Sequence, residues 1–308
     1  MALYKFAREQ KVMEIGRVKI GGQIGENPTA VIPTIFYDGH RIVDTKRNTF
    51  DEEKAEELIR EVEEAGDKHI LPYLFQVVGL TPELMIKGLD FVADHTDAPI
   101  VIDSADEVAR IVGLTHVSDS GYADRTMYNA INMMIDDEEI EALTRSRIEA
   151  VVILGFNMQD PSVKARIDLL ENGGGFVEKG LLTIAGGCGF DKILYDPGVQ
   201  PFGQGAGASF RLLAAVKAIY GLPTGVGAHN IPSSWAWLRK NADRETRRIT
   251  DISANAAGIL AGANSLFIGP IENAKYAAPT AAMMDILMAD SVADLGIEHA
   301  EEHPSMLA

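Results

Sequence analysis

The chain has 308 residues, 46% of them apolar, enough for one large buried core such as an α/β barrel with extensions. Its formal charge of -17 argues against nucleic acid or an anionic membrane as partner, because both need a basic face. Cys188 is the single cysteine, which excludes an intrachain disulfide and a cysteine-rich zinc site; with no signal-like start and no membrane-length apolar run, a soluble cytoplasmic protein is expected.

In chain order, V-M-E-I-G-R-V-K-I alternates around Gly16-Arg17 and predicts a hairpin within an N-terminal extension, residues 1–28, placed as a plug on a barrel floor. Eight short apolar runs follow. They are V-I-P-T-I-F, I-L-P-Y-L-F-Q-V-V, P-I-V-I-D, M-Y-N-A-I-N, A-V-V-I-L-G-F, K-I-L-Y-D, T-G-V-G-A-H and N-S-L-F-I-G. Apolar on both faces, they read as parallel strands covered by helices. Amphipathic stretches alternate with them: D-E-E-K-A-E-E-L opens with acids that suit a helix N-terminus, and A-S-F-R-L-L-A-A-V-K-A-I-Y ends at Gly221 before L-P. Eight such units predict a closed (β/α)8 TIM barrel as a single domain over residues 1–308, with a C-terminal helix and fraying acidic tail over 277–308.

In such a barrel the strand C-termini surround the active site. The third strand ends at Asp103, the fourth carries Asn129 and Asn132, and the fifth runs into Asn157. The sixth ends at Asp196 and the seventh at His229 and Asn230. No lysine ends a strand, against Schiff-base chemistry, and His229 has no neighbour at zinc-ligand spacing. Carboxylates and amides without a metal suit a flat polar heterocycle: a carboxylate accepts from an N–H and NH2 pair, and an amide both donates and accepts. A 2-amino-4-oxo pteridine has such an edge.

Bland readings stand beside these. Asp103 could cap the next helix, and Asp196-Pro197 could form only a turn. Asn132 and Asn157 could be loop amides, His229 a packing residue, and Asp38, His40 and Glu26 parts of solvated loops. G-Q-G-A-G from Gly203 to Gly207 is a weak dinucleotide signal; a helix N-terminus accepting ligand oxygens is the better reading for Gly203 and Gly205.

Several motifs carry a family resemblance: G-G-Q-I-G-E-N-P-T, I-F-Y-D-G-H-R-I-V, D-P-S after the fifth strand and D-P-G-V-Q-P-F-G-Q-G-A-G after the sixth. H-N-I-P-S-S-W after the seventh and G-P-I-E-N-A after the eighth complete the set. The chain resembles the H subunits of tetrahydromethanopterin S-methyltransferases and the bacterial tetrahydrofolate-dependent corrinoid methyltransferases, over nearly its whole length. The resemblance implies a pterin-binding TIM barrel, usually a homodimer, that moves a methyl group between N5 of tetrahydrofolate or tetrahydromethanopterin and the cobalt of a corrinoid protein or cobalamin. It implies ring binding by Asp103, Asn129 and Asp196, and a contact to N5 by Asn230 as the catalytic residue. Dihydropteroate synthases share the superfamily but need a lysine near the seventh strand and an Arg-His pair after the eighth, which do not appear here. The cobalt nucleophile belongs to the partner, in keeping with a chain that carries no nucleophile of its own. Two alternatives remain: a non-catalytic subunit that docks a corrinoid protein, and a phosphate-binding barrel lyase. The lyase predicts a basic or Gly-rich cup at the last two loops, where F-I-G-P-I-E-N is acidic.

Overall fold

A computed structural model describes residues 4–308. The first hairpin pairs β1 (Val12–Ile15) with β2 (Val18–Gly21) in antiparallel register, Ile15 opposite Val18. Then come β3 (Ala30–Ile35), a small ribbon of β4 (Val43–Asp44) and β5 (Thr49–Phe50), and β6 (Phe75–Val78). The remaining strands are β7 (Ile100–Asp103), β8 (Thr126–Ile131), β9 (Ala150–Leu154), β10 (Lys192–Asp196), β11 (Gly225–Val226) and β12 (Ser265–Pro270). Eight of them form one parallel sheet in the order β10-β9-β8-β7-β6-β3-β12-β11. A parallel bridge from Tyr195 to Thr224, with the Tyr195 N–H donating to Pro223 at 3.0 Å, joins its two edges. The eight expected strands are therefore the staves of a barrel, wound in chain order.

Local chemistry sets the helices around it. Asp51 caps Glu52–His69 by accepting from the Lys54 N–H at 3.1 Å, and Ala55, Ile59 and Val62 put that helix's apolar stripe inward. Helix Ala206–Tyr220 stops at Gly221, whose φ of 67° ends it where the sequence predicts. Helix Ala274–Val292 follows β12 and packs on both Glu52–His69 and Arg244–Leu260, completing the outer ring. The tail beyond it does not fray. His303 is fully buried, a 3-10 turn at Pro304–Leu307 packs on the last helix, and the Ala300 N–H donates to Glu26 at 2.8 Å. Among the described residues no helix is long and apolar enough to cross a membrane.

The hairpin closes the barrel floor. Met13, Ile15, Val18 and Ile20 cluster with the inward side chains Ile32, Leu74, Val101, Met127, Val152, Leu194 and Phe267. This is a buried layer distinct from the larger one between strands and helices. It fills the lower barrel and leaves only the upper end, at the strand C-termini, for a ligand.

Candidate active site

Above that apolar layer lies a cavity of about 350 Å³, with Ala130, Leu154 and Phe267 at its apolar wall. Asp103, Asn129, Asn132, Asp196, His229 and Asn230 all line it. Several different strand ends and loops thus bring their polar residues to one place. A larger groove of about 740 Å³ lies beside the hairpin, around Arg17 and Tyr73, but has no convergent set of buried polar groups.

Asp103 ends β7 and receives a 2.6 Å hydrogen bond from Gln76 Nε2, while the Gln76 oxygen accepts from Thr34 Oγ1 at 2.6 Å. The relay fixes one carboxylate oxygen of a residue that lines the cavity. Burial pushes Asp103 up to about 6 against the Gln76 bond, the Arg110 charge and the Ser104 backbone. Asp103 does not cap the next helix; Asp106 does, accepting from the Ala109 N–H at 3.0 Å. Asp196 ends β10, is 9% exposed and accepts from the Gly198 N–H at 2.7 Å, so it does form a turn. Its pKa rises to about 7, chiefly by burial and further by the Asp103 charge, against Gly198 and Arg166.

The side chains of Asn129 and Asn230 have no hydrogen-bond partner among the described residues, although both line the cavity. Asn132 lines it too, but its oxygen accepts from the Met134 N–H at 2.8 Å and braces the loop. The seventh strand is shorter than expected. It ends at Val226, the Asn230 N–H turns back to the Gly227 carbonyl at 3.1 Å, and Asn230 opens a short helix, Asn230–Ser234. Beside it His229 is held near 4 by burial, hence neutral. Its ring sits against Gly269, where a Cβ would lie 2.7 Å from Nδ1 on a backbone with φ of 70°.

Three expected ligand residues lie elsewhere. Asn157 is beyond the end of β9, and its oxygen accepts from the Gln159 and Asp160 N–H groups, both at 2.9 Å. It shapes a loop and does not line the cavity. Gly203 and Gly205 also lie outside the lining; Gly205, φ 97°, opens helix Ala206–Tyr220 where a Cβ would press on Pro161 at 2.7 Å. Glu26 belongs to the floor, accepting from the Gln23 N–H at 2.7 Å. His40 is buried, not solvated: it accepts from the Phe36 N–H at 3.2 Å, stacks on Tyr37 and faces Glu272 at 3.6 Å.

The sequence reading missed Gln76, Arg110 and Arg166. Gln76 is visible as the lone polar residue inside L-F-Q-V-V. Arg110 lines the cavity, pairs with Glu139 at 2.9 Å and donates to the Ser104 carbonyl at 2.8 Å. Arg166, fully buried, donates to the Pro197 carbonyl at 3.1 Å and holds the turn after Asp196. The last two loops also differ from expectation. Glu272 is acidic as read, but Arg239, Arg244, Arg247 and Arg248 gather beside it around a second cavity.

The model of the tetrahydromethanopterin S-methyltransferase MtrH subunit matches residues 8–300. The chain belongs to this family. The H subunit of tetrahydromethanopterin S-methyltransferase from Methanothermobacter marburgensis is 45% identical over 305 residues, 98% of either chain. The H subunit of the putative methyltransferase mtx of Methanosarcina barkeri is 44% identical with the same coverage. Among solved structures, a Yersinia pestis dihydropteroate synthase superposes with a TM-score of 0.63 at 15% identity, covering 91% of this chain and all of that one. A Xanthomonas albilineans dihydropteroate synthase in complex with 7,8-dihydropteroate gives 0.57 at 17% identity, with 90% and 98% covered. At that identity the likeness is one of fold, the same barrel that the strand order describes.

Proposed function

We propose that this MtrH-family protein is a cytoplasmic methyltransferase acting on a reduced pterin, tetrahydromethanopterin or tetrahydrofolate, with the whole chain serving as one pterin-binding barrel. The observation that carries the reading is that two carboxylates, part-buried Asp103 and buried Asp196, line one cavity with the unpartnered amides of Asn129 and Asn230. The carboxylates accept from the N–H and NH2 groups of the pterin edge, and Asn129 supplies a further ring contact. Charge-assisted bonds of this kind are worth about 1.5–3 kcal/mol each.

Methyl departure returns a lone pair to N5. Asn230 at the cavity edge can donate its NH2 to that lone pair, or accept from a protonated N5–H with its oxygen. A contact that tightens as the C–N bond breaks lowers the barrier more than the ground state. A corrinoid carried by a partner protein supplies the cobalt that takes the methyl group. Exposed Met134, Met158, Phe202 and Trp237 on the segments that follow β8 to β11 suit contact with such a partner. Met283 and Leu287, exposed one turn apart on the last barrel helix, suit a homodimer contact.

Calorimetric titration with N5-methylated tetrahydromethanopterin and tetrahydrofolate, beside a cobalt-absorbance assay with reduced cobalamin, tests the reading. Binding of one pterin that depends on Asp103 and Asp196, together with methyl transfer, is the expected result. No binding of either would overturn it. Pterin binding without transfer to any corrinoid would favour a docking role instead.

A further inference from the structure

The arginines after β11 form a concentration of positive charge that helix stability does not favour. Arg244, Arg247 and Arg248 stand three and four residues apart at the start of helix Arg244–Leu260. Cations there oppose the helix dipole and repel one another along one face, so stability alone disfavours them. Arg239 and Arg41 join them around a cavity of about 550 Å³, five guanidinium groups against the carboxylates of Asp251 and Glu272, in a chain of net charge -17. Among the described residues none of the five forms a salt bridge; the arginine ion pairs belong to Arg47, Arg110 and Arg145. Yet two are set in place from behind. Arg247 donates to the Ala242 carbonyl at 3.0 Å and the Arg239 carbonyl at 2.5 Å, and Arg248 lies over the Tyr276 ring at 4.2 Å.

This cavity adjoins the carboxylate-lined one: His229 lines both. In a pterin, the carbon bearing the long side chain, C6, is bonded to N5. A ring gripped at its far edge by Asp103 and Asp196, with N5 beside Asn230, therefore sends its side chain out past His229. We infer that the arginine cavity binds the anionic end of the substrate's side chain, a chain ending in several carboxylates or a phosphate, and that this protein selects pterins carrying such a tail. The inference rests on the pterin reading and names the part of the substrate that reading leaves undefined. Guanidinium forks suit carboxylate and phosphate oxygens alike.

The test is calorimetric titration of the N5-methylated ligand in three forms: a tailless 6-methyl tetrahydropterin, the tail with one carboxylate pair, and the tail extended by further glutamates. Wild type is expected to bind the tailed forms at least about tenfold more tightly than the tailless one, a gap that shrinks as salt is raised. Arg239→Gln/Arg244→Gln should erase most of that gap while leaving tailless affinity within about twofold of wild type. The tailless ligand thereby reports that the variant is folded. Competition of inorganic phosphate with the tailed forms alone would mark phosphate as the better match; competition by free oligoglutamate alone would mark carboxylates. Equal binding of tailless and tailed ligands by wild type, or an undiminished gap in a variant that still binds the tailless ligand, overturns the inference while leaving ring recognition intact. Failure of every pterin to bind wild type overturns both.

Discussion

Asp196→Asn separates what the site costs in stability from what it does. The Asp196 carboxyl moves from 3.8 to about 7 on folding, mainly by burial. At about 1.36 kcal/mol per unit, ionised Asp196 costs the folded chain roughly 4 kcal/mol relative to the unfolded one. The sign follows from proton counts. Between about pH 4 and 7 the unfolded chain has lost this proton and the folded one keeps it, so stability falls as pH rises and levels off above the folded value. Asn keeps an oxygen for the Gly198 N–H, now at 2.7 Å, but cannot ionise. Whatever fixed offset the amide brings, the advantage of the variant over wild type should widen between pH 5 and pH 8 by roughly 2–3 kcal/mol. Urea unfolding followed by circular dichroism at both pH values measures it. The same variant should lose pterin affinity by about tenfold or more, since an amide cannot accept from both the N–H and the NH2 group. Parallel stability profiles for variant and wild type, or undiminished pterin binding, would refute the argument.

Other consequences can be checked alongside. Asn230→Ala should lower methyl transfer by about 10²–10³ in single-turnover cobalt absorbance, with a smaller effect on pterin affinity. Wild-type pterin affinity should fall as pH drops below about 7, where Asp196 takes up its proton, and titration across pH 5.5 to 8 would show it. Gly269→Ala should displace His229, because its Cβ would meet Nδ1 at 2.7 Å; the expected outcome is weaker binding, seen by calorimetry, and a lowered melting temperature. Ile20→Ala, at a fully buried floor position, should cost about 2–4 kcal/mol of stability in urea without changing ring affinity.

Much of this is legible in the chain itself, for reasons that differ residue by residue. Strands covered on both faces leave an apolar run, so all eight staves and the plug hairpin show in the sequence. Asp103 and Asp196 stand out because each ends such a run with a charge. Gln76, which holds Asp103 from one strand away, sits inside its run, where a polar residue reads as noise until Thr34 and Asp103 are found on either side of it. Asn157 misleads because it follows an apolar run three residues too late. The strand stops at Leu154, and the amide spends its oxygen on its own loop. Arg166 is beyond reach, since nothing in V-K-A-R-I-D marks an arginine that folds inward to a carbonyl 31 residues away. The arginines after β11 escape notice for a related reason: the loop of β12 is acidic when read alone, and the cluster becomes a cavity wall only when the preceding helix folds over it.

The charge layout along the proposed ligand has a physical logic of its own. At the ring edge, desolvation raises both aspartates, so further N–H donors from a matching ligand would stabilise their charged forms. At the far end, a cluster of arginines lines the second cavity and can act on a tail before the ring is seated. Between them, where N5 would lie, the two polar side chains are neutral: Asn230 by its nature, and His229 because burial holds it near 4. A cation there would oppose a protonated N5, and an anion would oppose the lone pair returning to it. A neutral amide opposes neither, so one site can serve both the methylated amine and the amine left behind. On this view an Asn230→Asp variant should fail in a pH-dependent way, worst where the new carboxylate is ionised, while Asn230→Ala fails equally at every pH.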